Sequence, residues 1–215
     1  TGTGSSHAVT FNDTDTDMQP DMVWLRYRNA VKNHYLFDAV RGATEHLNPN
    51  DTDVEGTDAN TLTAFGSDGF TVGTSGAVNT SSGLNVAWCW KAGGGSGSSN
   101  ENGTINTTST SVSTTSGFSI STYTGTGSAA EVVIVKKRTP SADNWINYHE
   151  AIGNTKRLLL STDAAEATAT SYWADTTPSS TVFSVSTNGG NNESTHTYVA
   201  YCWAPIQGFS KFGSY

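Results

Sequence analysis

The chain has 215 residues, of which 19 are acidic and only 11 are Lys or Arg, so its formal net charge is −8. An acidic chain this poor in basic residues lacks the electrostatic footprint of a nucleic-acid-binding protein and is unsuited to anionic membranes. Its polar positions are dominated by Gly, Ser, Thr and Asn, a composition typical of strands and turns. No apolar run approaches the ~18 residues of a transmembrane helix.

In chain order, the first predicted strand is Met22–Leu25, a short continuous apolar run typical of a strand buried on both faces. Asp68-Gly69 indicates a turn, and Val86–Trp90 predicts a flat central strand. A Gly/Ser-rich stretch over 92–102 indicates a flexible connector. Thr104–Ser113, with sparse apolar residues, predicts an edge or surface strand.

The predicted elements continue with Val132–Val135, a second buried strand. Asp163–Ala169 has weak helical periodicity and predicts one or two helical turns. Asn188-Gly189-Gly190 indicates another turn, and Val199–Trp203 predicts a second flat central strand.

These elements form an internal repeat. Five collinear matches relate the two halves, with an offset that drifts from 123 to 110 and then to 113; they are Thr1–Ser5 with Thr124–Ser128, Val23–Arg28 with Val133–Arg138, Arg41–Leu47 with Ile152–Leu158, Gly69–Val72 with Val182–Val185, and Val86–Trp90 with Val199–Trp203. Closely spaced short strands with turn punctuation favour a sandwich. The sequence therefore predicts an all-β fold of two tandem β-sandwich modules, over 1–98 and 99–215.

The second module is shorter near its start. Five residue steps separate Ser128 from Val133, against eighteen from Ser5 to Val23. Five steps span at most ~17 Å. Two explanations stay open: a truly short loop, or residues missing between Ala130 and Glu131.

The two ends of the chain suggest a longer array. Gly208–Tyr215 resembles the stretch Gly117–Tyr123, which directly precedes the second Thr-Gly-Thr-Gly-Ser. The strand pair over Gly103–Tyr123 has no upstream counterpart, and we hypothesise that a neighbouring subunit or repeat completes the first module.

Several strings in the chain resemble a repeat of large virion structural proteins of marine bacteriophages. They are MQPDMVWLRYR, FDAVRGAT, SDGFTVG, VAWCWKAGGG, GFSISTYTGTGSAA, the stretch Ile146–Leu160 and GFSKFGSY. The resemblance implies a jelly-roll or lectin-like sandwich in a tail, fibre or surface protein. It carries over no catalytic or ligand residues. A Gly-rich segment ending in Ala-Pro, expected before the second Val-rich strand, is missing, which also questions whether the second module is complete.

The residues that carry chemistry form no recognisable catalytic set. The five histidines are scattered, and no Gly-x-Ser-x-Gly elbow follows a strand. Cys89 and Cys202 occupy equivalent repeat positions, so we expect two free buried thiols and no disulfide. The sequence predicts that the protein is not an enzyme.

Three kinds of candidate binding or modification residue remain. Asp13, Asp15 and Asp17 alternate along the chain and offer oxygen ligands to Ca²⁺, although a solvated acidic loop is the simpler reading. Trp145 and Trp173 have polar neighbours and are candidates for an exposed sugar-stacking contact, whereas Trp24, Trp88, Trp90 and Trp203 are expected in the core. Glycosylation sequons begin at six residues, namely Asn12, Asn50, Asn79, Asn102, Asn106 and Asn192.

The leading hypothesis is a non-enzymatic structural repeat unit of a virion or an extracellular filament, which assembles with copies of itself through neighbouring β-modules. A carbohydrate-binding adhesin that contacts cell-surface glycans is the alternative, and a glycan-degrading enzyme is the third hypothesis. No cofactor is expected beyond Ca²⁺.

Overall fold

A computed structural model describes residues 1–11, 17–102, 105–124, 134–179 and 182–203. About 40% of the described residues are in strands and 6% in helices, and the three sheets that they form are antiparallel. The prediction of an all-β, sandwich-type fold is confirmed.

The described part of the chain contains fifteen strands: β1 His7–Thr10, β2 Met22–Tyr27, β3 Tyr35–Asp38, β4 Gly42–Leu47, β5 Gly56–Thr57, β6 Leu62–Gly66, β7 Gly69–Val72, β8 Asn85–Trp90, β9 Thr107–Ser113, β10 Phe118–Thr124, β11 Ile134–Thr139, β12 Ile146–Asn147, β13 Lys156–Leu159, β14 Ala167–Thr168 and β15 Thr197–Trp203. A 3₁₀ turn covers Glu150–Ile152, and two single-turn helices follow, α1 Thr170–Trp173 and α2 Gly189–Asn192.

The strands form sheets of three, five and seven strands. Their orders are β1-β7-β6, β5-β4-β3-β2-β8 and β14-β13-β12-β11-β15-β10-β9. The order of the five-stranded sheet thus reappears, strand for strand, as β14-β13-β12-β11-β15.

The register of the strands repeats as well. Trp24 lies opposite Trp88 in the first half, and the equivalent Ile134 lies opposite Tyr201 in the second. The outermost pairs agree too, because Glu45 pairs with Thr57 as Lys156 pairs with Thr168. The internal repeat read from the sequence is therefore a repeat of hydrogen-bonded register.

The side chains of the five-stranded sheet alternate between two cores. Met22 belongs to a core shared with the seven-stranded sheet, whereas Val23 belongs to a core shared with the three-stranded sheet. This alternation is the period-2 pattern of a strand that is covered on both faces. The five-stranded sheet is consequently the middle layer, with the other two sheets on its opposite faces.

The far face of the seven-stranded sheet carries a third core, around Tyr123, Tyr198 and Trp173 of α1. Among the described residues, no three-stranded sheet covers this core as one covers the first half. The short helix α1 lies here instead, and its large Trp173 side chain is buried. The predicted helical turns over Asp163–Ala169 are wrong, since that segment contains strand β14.

The predicted boundary at residue 98 separates the strands by sheet, because β1–β8 precede it and β9–β15 follow it. The central core nevertheless draws on both sides of this boundary. Leu36 and Leu47 of the first half pack in it with Phe118, Ile120 and Tyr201 of the second. The two halves are therefore joined through a common interior.

The predicted edge or surface strand is confirmed as β9, which lies at the edge of the seven-stranded sheet. Of the two predicted central strands, the one over Val199–Trp203 is confirmed as β15, whereas the prediction for Val86–Trp90 is wrong, because β8 lies at the edge of the five-stranded sheet in the described part of the chain. The stretch from Ala130 to Glu131, where the sequence left two explanations open, lies outside the described residues. Within the described ranges, no helix is long and apolar enough to cross a membrane.

Candidate functional site: the interface between the two large sheets

A tight turn after β3 fixes a buried carboxylate at this interface. The Asp38 side chain accepts hydrogen bonds from the backbone N–H groups of Val40 (3.1 Å) and Arg41 (2.9 Å), as an Asx turn does. The Arg41 Nε then donates to Asp38 Oδ2 at 2.6 Å. Both side chains are fully buried, so the turn places a complete ion pair inside the protein.

From this turn a charged network crosses to the second half. Arg41 Nη1 donates to Glu55 Oε2 at 2.9 Å, and Arg138 at the end of β11 donates to both oxygens of Glu55 at 2.8 and 2.5 Å. On the other side, the Tyr201 hydroxyl donates to Asp38 Oδ2 at 2.6 Å. Two arginines, two carboxylates and a tyrosine thus join the five-stranded sheet to the seven-stranded sheet. We call these residues the interface network.

Burial and charge act against each other in this network. Burial disfavours the charged guanidinium of Arg41, but Asp38 and Glu55 more than offset that effect and raise its pKa. Burial also acts to raise the pKa of Glu55, yet hydrogen bonds and charge from Arg138 and Arg41 lower it overall. Burial, followed by the Asp38 charge, raises the pKa of Tyr201 well above its ordinary value. These shifts keep the Arg41 guanidinium charged, the Glu55 carboxylate ionised and the Tyr201 hydroxyl protonated, as their hydrogen bonds require.

Lys136 and Trp145 make a second set of contacts between the two halves. The fully buried Lys136 Nζ donates to the carbonyl oxygens of Thr52 (2.9 Å) and Asp143 (2.6 Å), and Trp145 Nε1 donates to the carbonyl of Asn48 at 3.2 Å. Burial lowers the pKa of Lys136 to about 8 despite the nearby carboxylates. The Lys136 ammonium group is therefore hydrogen-bonded to one backbone carbonyl from each half.

The connector after β8 is held by one carboxylate. Buried Asp21 accepts hydrogen bonds from the backbone N–H groups of Ala92 (2.8 Å), Gly94 (3.0 Å) and Gly95 (3.1 Å). The next anchor is Ser111 Oγ, which accepts from Gly93 N at 3.0 Å. The prediction of a flexible connector over 92–102 is wrong for its first residues, because their backbone N–H groups bind the buried Asp21 carboxylate.

The geometry of this interface is suited to holding the two halves of the chain together. Its charged groups are paired and hydrogen-bonded to one another, and Arg138, with 23% of its side chain exposed, is the most accessible member of the interface network. The cysteines are inert: both are free, as predicted, and burial raises the pKa of Cys89 and of Cys202 to about 12. Neither thiol is a nucleophilic thiolate at neutral pH.

The two tryptophans proposed as exposed sugar contacts are both buried. Trp145 is 1% exposed and stacks against Tyr201 in the central core, and Trp173 is 1% exposed and contacts Tyr148 edge to face. Each indole N–H donates to a backbone carbonyl, so polar sequence neighbours surround side chains that point inward. Their predicted exposure is wrong. Trp88, expected in the core, is 44% exposed.

Only part of the acidic stretch proposed to bind Ca²⁺ lies within the described residues. Asp13 and Asp15 lie outside the described residues, and Asp17 is exposed at the edge of the gap. Within the described ranges, no group of three or more His, Cys, Asp or Glu side chains is arranged to hold a metal ion. Ca²⁺ binding by these residues stays a prediction.

Two of the six sequons are inaccessible. Asn79 is fully buried, and its side chain bonds Thr3 N, Ser5 O and Gly73 O. Asn192 is also fully buried, in α2. Both are therefore wrong as glycosylation sites. Asn50, Asn102 and Asn106 are exposed and stay predictions, and Asn12 lies outside the described residues.

Sequence reasoning did not single out Asp21, Asp38, Arg41, Glu55 or Arg138. A signal was present, because only 14% of the chain is charged. Charged residues that border apolar strands in so uncharged a chain are candidates for internal pairing, as Asp38 and Arg41 show on either side of a turn.

Residues 1–215 match a family described as "Domain of unknown function (DUF7483)". No curated protein matches, and neither does any solved structure.

Proposed function

Because the chain belongs to the DUF7483 family of unknown function, we propose a function from its geometry: it is a non-enzymatic structural unit of a virion or extracellular assembly. A tail, fibre or self-assembling filament is the class of assembly that the sequence resemblance favours. Copies of the chain are the expected partners.

One observation carries this proposal. The same sheet occurs twice with the same strand order and register, and the two copies are joined by a shared core and a buried charge network. Repeated units that bury surface against their neighbours give mechanical continuity along an assembly. The ionised groups of the interface network pair with one another in this joining.

Self-association is the test. Size-exclusion chromatography with light scattering over a wide concentration range is expected to give species heavier than the 22.6 kDa chain. Electron microscopy of those species is expected to show rods, rings or filaments with a regular repeat. A chain that stays monomeric at every concentration, and forms no lattice with its natural neighbours, contradicts the proposal.

A carbohydrate-binding adhesin is the second candidate, favoured by one observation. Trp88 is 44% exposed and packs edge to face on Trp24, with ring centroids 6.0 Å apart. An exposed indole supported by a second ring is a stacking surface for a sugar. Glycan-array binding that is lost on Trp88→Ala but kept on Val31→Ala, a change at another exposed apolar residue, supports this candidate; no binding by the unaltered chain excludes it.

A further inference from the structure

Strand β8 is an open edge where its repeat counterpart is a central strand. In the second half, β15 is flanked by β11 on one side and β10 on the other. In the first half, β8 pairs with β2, and none of the described strands pairs with its outer edge. The first half is therefore short of one strand at a defined place.

This edge has none of the features that usually protect an edge strand. Asn85–Trp90 contains no charged residue and no proline, and Trp88 and Leu84 beside it are 44% and 41% exposed. Natural edges are shielded by charge, proline, shortness or a covering segment. The other edges of the two large sheets fit that rule: β5 and β14 have two residues each, and β9 pairs with Ser98 of the connector. The β8 edge is suited to taking up an added strand.

The chain carries a second copy of the strand that fills this place in the other half. Strand β10 with its preceding glycine reads Gly-Phe-Ser-Ile-Ser-Thr-Tyr over 117–123, and the last eight residues read Gly-Phe-Ser-Lys-Phe-Gly-Ser-Tyr over 208–215. Those eight residues lie outside the described part of the chain. We infer that Gly208–Tyr215 adds to the outer edge of β8 of its own chain, antiparallel to it, and completes the first half as β10 completes the second.

The reach of the chain favours its own edge over that of a second copy. The described part ends at Trp203, whose ring centroid is 6.3 Å from that of Trp90 at the end of β8. Six residue steps lead from Trp203 to Phe209, and these span up to roughly 20 Å. A tether this short holds the segment at an effective concentration of about millimolar, which a separate molecule in dilute solution does not match.

The register follows from the second half, where Phe118 lies opposite Trp203, Ser119 opposite Cys202 and Ile120 opposite Tyr201. When each residue is replaced by its repeat equivalent, the inferred register has Phe209 opposite Trp90, Ser210 opposite Cys89 and Lys211 opposite Trp88.

Side-chain chemistry agrees with this register at the two outer pairs. The Phe118 ring packs against Trp203 with centroids 5.2 Å apart, and Phe209 offers the same contact to Trp90. Ile120 faces the buried Tyr201, whereas Lys211 faces the exposed Trp88, where an ammonium group stays hydrated and lies near an indole face.

The Ser210–Cys89 pair gives a direct test by disulfide cross-linking. In a Ser210→Cys, Cys202→Ala chain, oxidation is expected to link the introduced thiol to Cys89, because directly opposed strand residues lie within disulfide range. The product is a monomer that runs faster on a non-reducing gel, and peptide mapping identifies the linked pair. The positive control is Ser119→Cys with Cys89→Ala, which links to Cys202 in the described register. The negative control is Ser210→Cys with both native cysteines replaced by Ala.

Each outcome decides the inference. A Cys89 link within one chain supports it. A Cys89 link between two chains overturns the choice of occupant and shows a second copy on the edge. No Cys89 link, while the positive control cross-links fully, overturns the added strand itself.

Hydrogen exchange of the unaltered protein is a second, independent measurement. Backbone amides of Asn85–Trp90 are expected to be protected in the full chain and to exchange at least tenfold faster when the chain ends at Gln207. Amides of β15, flanked by β11 and β10, serve as the internal reference. Unchanged exchange in β8 overturns the inference. A cross-link within one chain forms whether or not the protein self-associates. Failure of this inference is therefore distinguishable from failure of the proposed assembly.

Discussion

The hydroxyl of Tyr201 and the carboxylate of Asp38 are 2.6 Å apart and join the second half of the chain to the turn between β3 and β4 of the first. Tyr201→Phe removes this donor and leaves the packing intact. Since a hydrogen bond to a charged group contributes ~1.5–3 kcal/mol, we expect the free energy of unfolding to fall by about that amount. Urea unfolding followed by tryptophan fluorescence measures it.

The matched control is Tyr35→Phe. Tyr35 is partly buried on β3, and among the described residues its hydroxyl has no hydrogen-bond partner. We expect this variant to unfold at nearly the same urea concentration as the parent. An equal loss in both variants contradicts a specific role for the Tyr201–Asp38 bond.

Arg41 is the residue on which the interface network depends most. Arg41→Met leaves Asp38 without its ion pair in the interior and removes one of the two arginines on Glu55. Breaking one partner of a buried ion pair costs about 3–5 kcal/mol, so we expect severe destabilisation. Arg26→Met is the control, because Arg26 is the exposed residue of the otherwise largely buried strand β2, and it is expected to be near neutral. A small loss for Arg41→Met would show that the network adds little to the joining of the halves.

The buried Lys136 gives stability an unusual pH dependence. Its pKa is about 8 in the folded protein, against an ordinary 10.5, so between these values the unfolded chain binds a proton that the folded chain does not. The contribution of Lys136 to the free energy of unfolding therefore rises as pH increases from about 8 toward 10, by at most ~3 kcal/mol.

The cysteines act in the opposite direction at higher pH. The pKa of Cys89 and Cys202 is about 12 when folded against 9.0 ordinarily, so above pH 9 the unfolded chain loses protons that the folded chain keeps, and stability falls. We expect a melting-temperature maximum near pH ~9. Lys136→Met is expected to remove the rising arm, and replacing both cysteines by Ala to weaken the falling arm. A profile for Lys136→Met parallel to that of the parent contradicts this account.

Asp21 anchors the glycine-rich start of the connector. Asp21→Ala removes the acceptor for three backbone N–H groups, and we expect a loss of about 2–3 kcal/mol with faster proteolytic cleavage over 92–99. Limited proteolysis with mass spectrometry measures the second effect. Asp163→Ala, at an exposed residue, is the control. Unchanged cleavage in Asp21→Ala means that other contacts hold the segment.

The sequence predicted the strands and their repetition but not how the two halves pack together. Apolar runs such as Met22–Leu25 indicate burial on both faces, and equivalent strands keep equivalent partners, because register depends on local alternation and on turns. That alternation does not predict that Met22 faces the second half and Val23 faces the three-stranded sheet.

Side-chain exposure was the weakest inference from sequence. Trp145 and Trp173 have polar neighbours in the chain, yet the indole N–H of each finds a carbonyl in the interior. Trp88 lies in an apolar run but on the outermost strand of its sheet, where one flank lacks a neighbour among the described residues. Contacts distant in sequence, which the local pattern does not reveal, decided burial in all three.

The shared core has a consequence for synthesis. Leu36 and Leu47 of the first half are covered by residues that leave the ribosome later, among them Tyr201. A nascent first half, or one released early by truncation, displays an apolar sheet face with nothing yet made to cover it. Such an intermediate is a natural client for chaperones, and residues 1–98 alone are expected to be prone to aggregation despite the regularity of their strands.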